Sequence, residues 1–449
     1  DWAQQKCNEF AELSFVVPSN NGWQIHDTAR NYLFNGWLKS EHLSDFASAN
    51  SRLVEFLDDC IQNSTGYTFD FAQRARMFHL IGMDQKAGIE DFVRLFQEAR
   101  HQFNLSECES LIKLVHEYDP ILEQSPARIL KYHEGKLAYD QRNWNKAEQA
   151  LREIIEDQGA SGELQIKVLN RLGMVHEARR EWPAAIDIYQ KALQTMGSNG
   201  EHIDLKARVF HNLGIAKRES NELTEAEDLL NESVRLHEAV GSYRSAATAY
   251  NSLGNLYRQL NDSKNAIKAY ENALACVEKG DDKFRTSQLS NNLGLMYGDM
   301  TDWDNSEKYF QESLEIKKKA GDTLGQANTL NNLVRVYQSL DLGDKAIESA
   351  QEAIKLFNTV HDEFSMAKAK RNLAKLYHSM GKDKQAREAF ADAITTFDQL
   401  KEIDLSNETR AEQHALDEKI GIPWWAWTAI GVFGLLIILI IIVLILAEL

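Results

Sequence analysis

Leu172, Leu213, Leu253, Leu293, Leu333 and Leu373 follow one another at intervals of 41, 40, 40, 40 and 40 residues, and side chains of matching size recur around each. The residue after each leucine is Gly173, Gly214, Gly254, Gly294, Val334 or Ala374. Twelve residues further on stand Ala185, Ala226, Ala266, Ser306, Ala346 and Ala386, and seven after those Ala192, Ser233, Ala273, Ser313, Ala353 and Ala393. Small residues in register let two helices approach closely and stack on the next pair. Gly135 and Ala147 extend the series upstream to a seventh unit, 38 residues before Gly173. Between the small positions the apolar residues keep helical spacing, as at Ala266, Ile267, Tyr270, Leu274 and Val277. Each unit therefore reads as helix, turn, helix. Such a unit cannot bury its apolar face alone, so neighbours must supply the core and the array must be a solenoid.

The runs Asn291-Asn292-Leu293-Gly294-Leu295-Met296-Tyr297 and Tyr250-Asn251-Ser252-Leu253-Gly254-Asn255-Leu256-Tyr257 resemble the first helix of a tetratricopeptide repeat (TPR). The unit is longer than the common form of about 34 residues and lacks its terminal proline. It is similar to the long-helix variant of kinesin light chains and of cell-polarity scaffolds that bind extended peptides. The resemblance covers Arg128 to Lys401. It implies an all-α fold, a right-handed superhelical solenoid of seven units over residues 126–402, with the first helices lining a concave groove.

In that arrangement the exposed face of the first helices falls five, two and one residues before each leucine and two after it. The first row is Lys167, Arg208, Thr248, Gln288, Asn328 and Lys368, and the second Asn170, His211, Asn251, Asn291, Asn331 and Arg371. The third is Arg171, Asn212, Ser252, Asn292, Asn332 and Asn372, and the fourth Met174, Ile215, Asn255, Leu295, Arg335 and Lys375. An asparagine carboxamide offers an acceptor and a donor pair, which suits the backbone of an extended peptide whatever its sequence. The same side chains could instead bond neighbouring helices. Lys368, Arg371, Lys375 and Arg335 cluster in the last two units of an acidic chain, which favours an acidic peptide at that end or a basic face near an anionic membrane. The lysine, asparagine and arginine positions of the clamp that holds chaperone C-termini do not recur across three successive units. Trp144, Trp182 and Trp303 fall at the turns before second helices, where packing explains them.

The first 125 residues have another texture. Ser14 to Val17 and Trp23 to His26 read as short strands around a turn from Pro18 to Gly22, followed by a helix opening at Asp27. Helix, hairpin, then helix resembles the winged-helix domain of signal-transducing ATPases of the STAND class, over residues 1–45. His26 and Asp27 match a fold-stabilising pair there. Residues 46–125, with Phe71, His79, Leu80, Phe92, Phe96, Cys108 and Leu111 at helical spacing, resemble the connecting helices of that class. In those proteins a nucleotide-binding domain precedes the winged helix and a helical repeat array follows as sensor.

Trp424 to Ala447 carries no charge. At about 1.5 Å per residue it reaches roughly 36 Å, which suits a membrane span. Pro423 marks the entry, and Trp424, Trp425 and Trp427 favour the headgroup boundary. The expectation is one transmembrane helix over residues 423–449, a tail anchor that touches lipid and leaves the bulk of the protein facing the cytoplasm. Residues 403–422 would be a helical or flexible tether.

Fifty Lys and Arg against 67 Asp and Glu give a net charge of −17, without a basic tract, which argues against nucleic acid. The four cysteines, Cys7, Cys60, Cys108 and Cys276, suggest neither a disulfide framework nor a zinc site. No phosphate-binding loop and no catalytic constellation of Cys, His, Ser or carboxylates occurs, so no enzyme activity, metal or cofactor is expected. The sequence points to a membrane-anchored scaffold or sensor that binds a protein or peptide, the sensor half of a STAND-like signalling protein. The alternative is a tail-anchored adaptor or co-chaperone without an ATPase.

Overall fold

The computed structural model describes residues 16–19, 22–25, 43–63, 65–157, 162–196, 202–279 and 282–419. Two strands, β1 (Val16–Ser19) and β2 (Gly22–Ile25), pair antiparallel with Pro18 opposite Trp23. The hairpin is tighter than the sequence suggests, because Pro18 and Gly22 belong to the strands and not to the turn. His26, Asp27 and the helix expected after them lie outside the described residues.

The chain divides into two compact units, residues 1–222 and 223–449. In the first, α1 (Leu43–Asn63), α2 (Tyr67–Met83), α3 (Gln85–His101) and α4 (Leu105–His116) precede the repeats. Met77, Ile81, Phe92, Phe96, Cys108, Leu111 and Tyr118 form their core. Phe71 is the exception to the expected apolar face, being 56% exposed. Then come α5 (Gln124–Asp140) against α6 (Trp144–Glu156), α7 (Gly162–Ala178) against α8 (Trp182–Thr195), and α9 (Ile203–Glu219). His133 of α5 is buried edge-on to Phe92 and Phe96. Burial, aided by the nearby Lys136 charge, lowers its pKa to about 3, so it is a neutral core residue.

The second unit opens with α10 (Leu223–Ala239). It continues with α11 (Tyr243–Gln259), α12 (Ser263–Glu278), α13 (Lys283–Asp299), α14 (Trp303–Ala320), α15 (Thr323–Ser339), α16 (Gly343–Thr359), α17 (Glu363–Ser379), α18 (Asp383–Gln399) and α19 (Ile403–Lys419). Helices 11 to 18 pack as four successive pairs, each against the next. Turns set the period. Asn221, Asn261, Thr301, Asp341 and Gly381, each 40 residues after the last, all hold positive φ. A capping Asp follows two of these turns and also opens three helices at the turns between them. Asp262, Asp282, Asp302, Asp322 and Asp362 each accept the backbone N–H three residues on, closing the first turn of α12, α13, α14, α15 and α17.

The small positions are where the backbones meet. A Cβ on Gly254 would stand 2.5 Å from the Tyr270 ring, and one on Gly294 would stand 2.8 Å from Phe310. Where Val334 replaces the glycine, the residue sixteen positions on is Ala350 instead of an aromatic, and both are buried in one cluster. Size is conserved across the pair. Ser306 and Ser313 add bonds to the close approach, donating at 2.7 Å to the carbonyls of Gly294 and Ser287.

Two expectations are corrected. Residues 403–419, read as a tether, form α19, which packs on α18 with Ser406, Thr409, Leu416 and Asp417 buried. Its face repeats the helical spacing of the units before it, so it continues the stack. The transmembrane helix is not supported either. Among the described residues no helix is long and apolar enough to cross a membrane. Even α1, with 21 residues, carries Asp45, Arg52, Glu55, Asp58 and Asp59. Residues 423–449, with Trp424, Trp425 and Trp427, lie outside the described residues. The single-pass anchor, its lipid contact and the cytoplasm-facing membrane localisation are withdrawn with it. The fold is an all-α repeat solenoid with a β-hairpin near its start.

Candidate functional site

The asparagines of successive first helices bond one another. In the first unit Asn212 of α9 donates to the Asn170 carbonyl of α7 at 3.0 Å. In the second, Asn292 of α13 donates to Asn251 of α11 at 2.9 Å, and Asn332 of α15 to Asn291 of α13 at 3.4 Å. Both readings of these residues thus meet in one geometry. Each bond ties neighbouring repeats together, yet it uses one N–H of the donor and leaves the acceptor residue's own NH2 group outside the pair. Asn331 is half-buried and Asn372 exposed.

Three of the four expected rows converge on a pocket of about 330 Å³ between α11 and α13. Thr248, Gln288, Asn251, Asn291 and Asn292 line it, with Ala247, Val277, Leu289, Arg285 and Lys317. No Asp or Glu is among them. Arg285 places Nη1 2.5 Å from Thr248 Oγ1 and Nε 3.2 Å from Asp282. Asp282 also accepts from Arg244 at 2.9 Å. Burial raises the Asp282 carboxyl, but the Arg285 backbone N–H and the two guanidinium groups overcome it and hold the pKa below the ordinary range. The fourth row behaves differently. Asn255 accepts the Tyr270 hydroxyl at 2.8 Å, and Leu295 packs against the core, so neither serves the pocket.

The basic cluster is already engaged within the chain, though Arg335, Lys368 and Lys375 stay exposed. Arg371 meets Glu412 of α19 through two bonds of 2.8 and 2.5 Å and Glu408 at 3.1 Å. Lys375 reaches Glu412 at 2.8 Å. Arg335 pairs with Asp299 at 3.2 Å, and Lys368 lies 4.4 Å from the centre of the Phe364 ring. The Arg371–Glu412 bond spans 41 residues, the separation of the Asn251–Asn292 pair, so it keeps the register of the ladder in charged form, two units on from the Asn291–Asn332 bond.

Sequence reasoning missed Arg285 and Lys317. Arg285 lies outside the four rows, and Lys317 is on a second helix, near its C-terminal end. A register count would have found Lys317, since its counterparts one repeat away are Val277 and Phe357.

The tetratricopeptide repeat profile matches residues 164–239, 205–279, 244–319, 283–359 and 325–399, more than half of the chain. The chain belongs to the tetratricopeptide repeat family. Among solved TPR-like folds, the apo form of RapI superposes with a TM-score of 0.59 at 17% identity, over 74% of this chain and 98% of that one. A STAND protein with a tetratricopeptide repeat sensor from Pyrococcus horikoshii gives 0.51 at 14% identity, over 90% of this chain and 57% of that one. Both are likenesses of fold. No curated protein sequence matches the chain significantly.

Proposed function

We propose that this TPR protein is a binding module that captures an extended peptide segment of a partner along its first helices, centred on α11 and α13. The observation that carries the reading is the pocket there. Asn251, Asn291, Asn292, Thr248 and Gln288 converge on one cavity without a carboxylate, in a chain of net charge −17. Carboxamides already oriented by the ladder lose little freedom on binding, which favours backbone recognition. The reading is binding and not catalysis.

We further propose that the array serves as the sensor half of a STAND-like signalling assembly. The hairpin ahead of the helices and the fold likeness to the archaeal STAND protein support this. Peptide capture would then bias a nucleotide switch in the same assembly. The rival, an adaptor that works without an ATPase, differs in one observable: it needs no nucleotide-binding domain in the full-length gene product.

The test is selection from a random-peptide display library against the full chain, with the best binders measured by fluorescence anisotropy. Replacing Asn251, Asn291 and Asn292 together by Ala should weaken binding about tenfold or more, at about 1 kcal/mol for each lost hydrogen bond, while the thermal transition stays cooperative. Unchanged affinity would return these residues to packing between repeats.

A further inference from the structure

Lys317 stands where the repeat elsewhere puts the core. Twenty-four residues after each leucine from Leu213 onward come His237, Val277, Lys317, Phe357 and Phe397. Val277 and Phe357 are 2% exposed, and Lys317 is 9% exposed. An ammonium in an apolar register costs stability unless something charged meets it. Within the fold it meets a neutral group. Its Nζ donates to Thr329 Oγ1 at 2.8 Å, and the Thr329 hydroxyl in turn donates to the Gly325 carbonyl at 2.9 Å. Among the described residues no carboxylate forms an ion pair with Lys317. Burial therefore depresses its pKa below that of an ordinary lysine, and Asp322 offsets this only in part. Lys217, also buried, shows the usual solution: Glu222 lies 2.5 Å away.

Lys317 also lines the pocket between α11 and α13, with Arg285 on the same cavity. Arg285 shares its carboxylate, Asp282, with Arg244, so the pocket keeps an excess of positive charge. We propose that this pocket seats a carboxylate of the bound peptide, an Asp or Glu side chain, against Lys317 and Arg285, while Asn251 and Asn291 hold the flanking backbone. This deepens the peptide-binding reading and rests on it. A carboxylate that pairs with a desolvated cation inside a pocket contributes more than one at an exposed rim, and it relieves a cost that the empty protein carries. Specificity for an acidic residue follows from the same geometry.

The experiment uses the full chain and two fluorescein-labelled probes, hexaglutamate and hexaglutamine, read by anisotropy. Wild type should prefer hexaglutamate by about tenfold or more, and Lys317→Met should abolish the preference. Arg285→Gln should reduce it. Lys317→Met should also raise the melting temperature, because methionine fits the apolar register that Lys317 interrupts. A role confined to the Thr329 bond would lower it instead. No measurable hexaglutamate binding, equal affinity for the two probes, or a preference undiminished in Lys317→Met overturns the carboxylate seat. If both probes bind equally and both weaken in the triple asparagine variant, the seat falls and the groove survives. If neither responds to that variant, the groove reading falls as well.

Discussion

The second unit handles positive charge in two ways along one face. Between α17 and α19, Arg371 and Lys375 are met by Glu408 and Glu412, so the chain supplies its own acidic partner. Between α11 and α13, Arg285 and Lys317 border a cavity whose lining holds no carboxylate. The two places look alike in charge and differ in what is already bound there. A cluster of basic residues in a repeat sequence thus indicates a binding end only after the next helix has been placed.

Reversing one charge should disturb this contrast most. Glu412→Lys sets a cation against Arg371 and Lys375, and protection of residues 403–419 in hydrogen exchange should fall by about 3 kcal/mol, the scale of breaking a partly buried ion pair. The same variant should open the α17 end to hexaglutamate. Unchanged protection would mean that Leu416, Ser406 and Thr409 hold α19 without help from the charges.

Acid should act on the same contact more gently. Burial works to raise the Glu412 carboxyl, but Arg371 and Lys375 overcome it and hold the pKa below the ordinary 4.5. A depressed carboxylate pKa stabilises the fold above the unfolded value, and the gain is lost as pH falls through the folded one. Protection of α19 should therefore hold at neutral pH and decline below about pH 4.5, and Glu412→Gln should flatten that decline.

Lys317 predicts a slope of the same sign in an alkaline window. Its folded pKa lies below the ordinary 10.5, so the unfolded chain binds more protons between the two values and stability rises with pH in that window. In urea titrations the advantage of Lys317→Met over wild type should shrink as pH climbs toward 10.5. An advantage independent of pH would remove the burial penalty as its cause.

The smallest effect is expected on the ladder itself. Asn292→Ala should cost about 1 kcal/mol and Asn332→Ala about half of that, since their bonds measure 2.9 and 3.4 Å. Equal losses in urea melts would show that bond length does not grade the rungs.

Much of the fold was legible in the leucine and small-residue register. Gly254 and Gly294 announce a close approach because no larger side chain fits beneath Tyr270 and Phe310. The asparagine rows were legible as a polar face, with bonding between neighbouring helices as one of two readings, but the partners were not, because residues 41 positions apart meet only when the repeats stack. The boundary at residue 403 was misread for a related reason. A segment as polar as 403–419 looks like a linker until Leu416 and Thr409 are seen buried against the preceding pair.

Sequence alone determined the period, the helical pairs and the membership of the array in its family, because periodic size and hydropathy follow directly from what a stacked helix must bury. Tertiary structure decided which charges are spent within the chain and which are left facing a cavity. That question depends on distances between residues far apart in sequence, and no local pattern contains them.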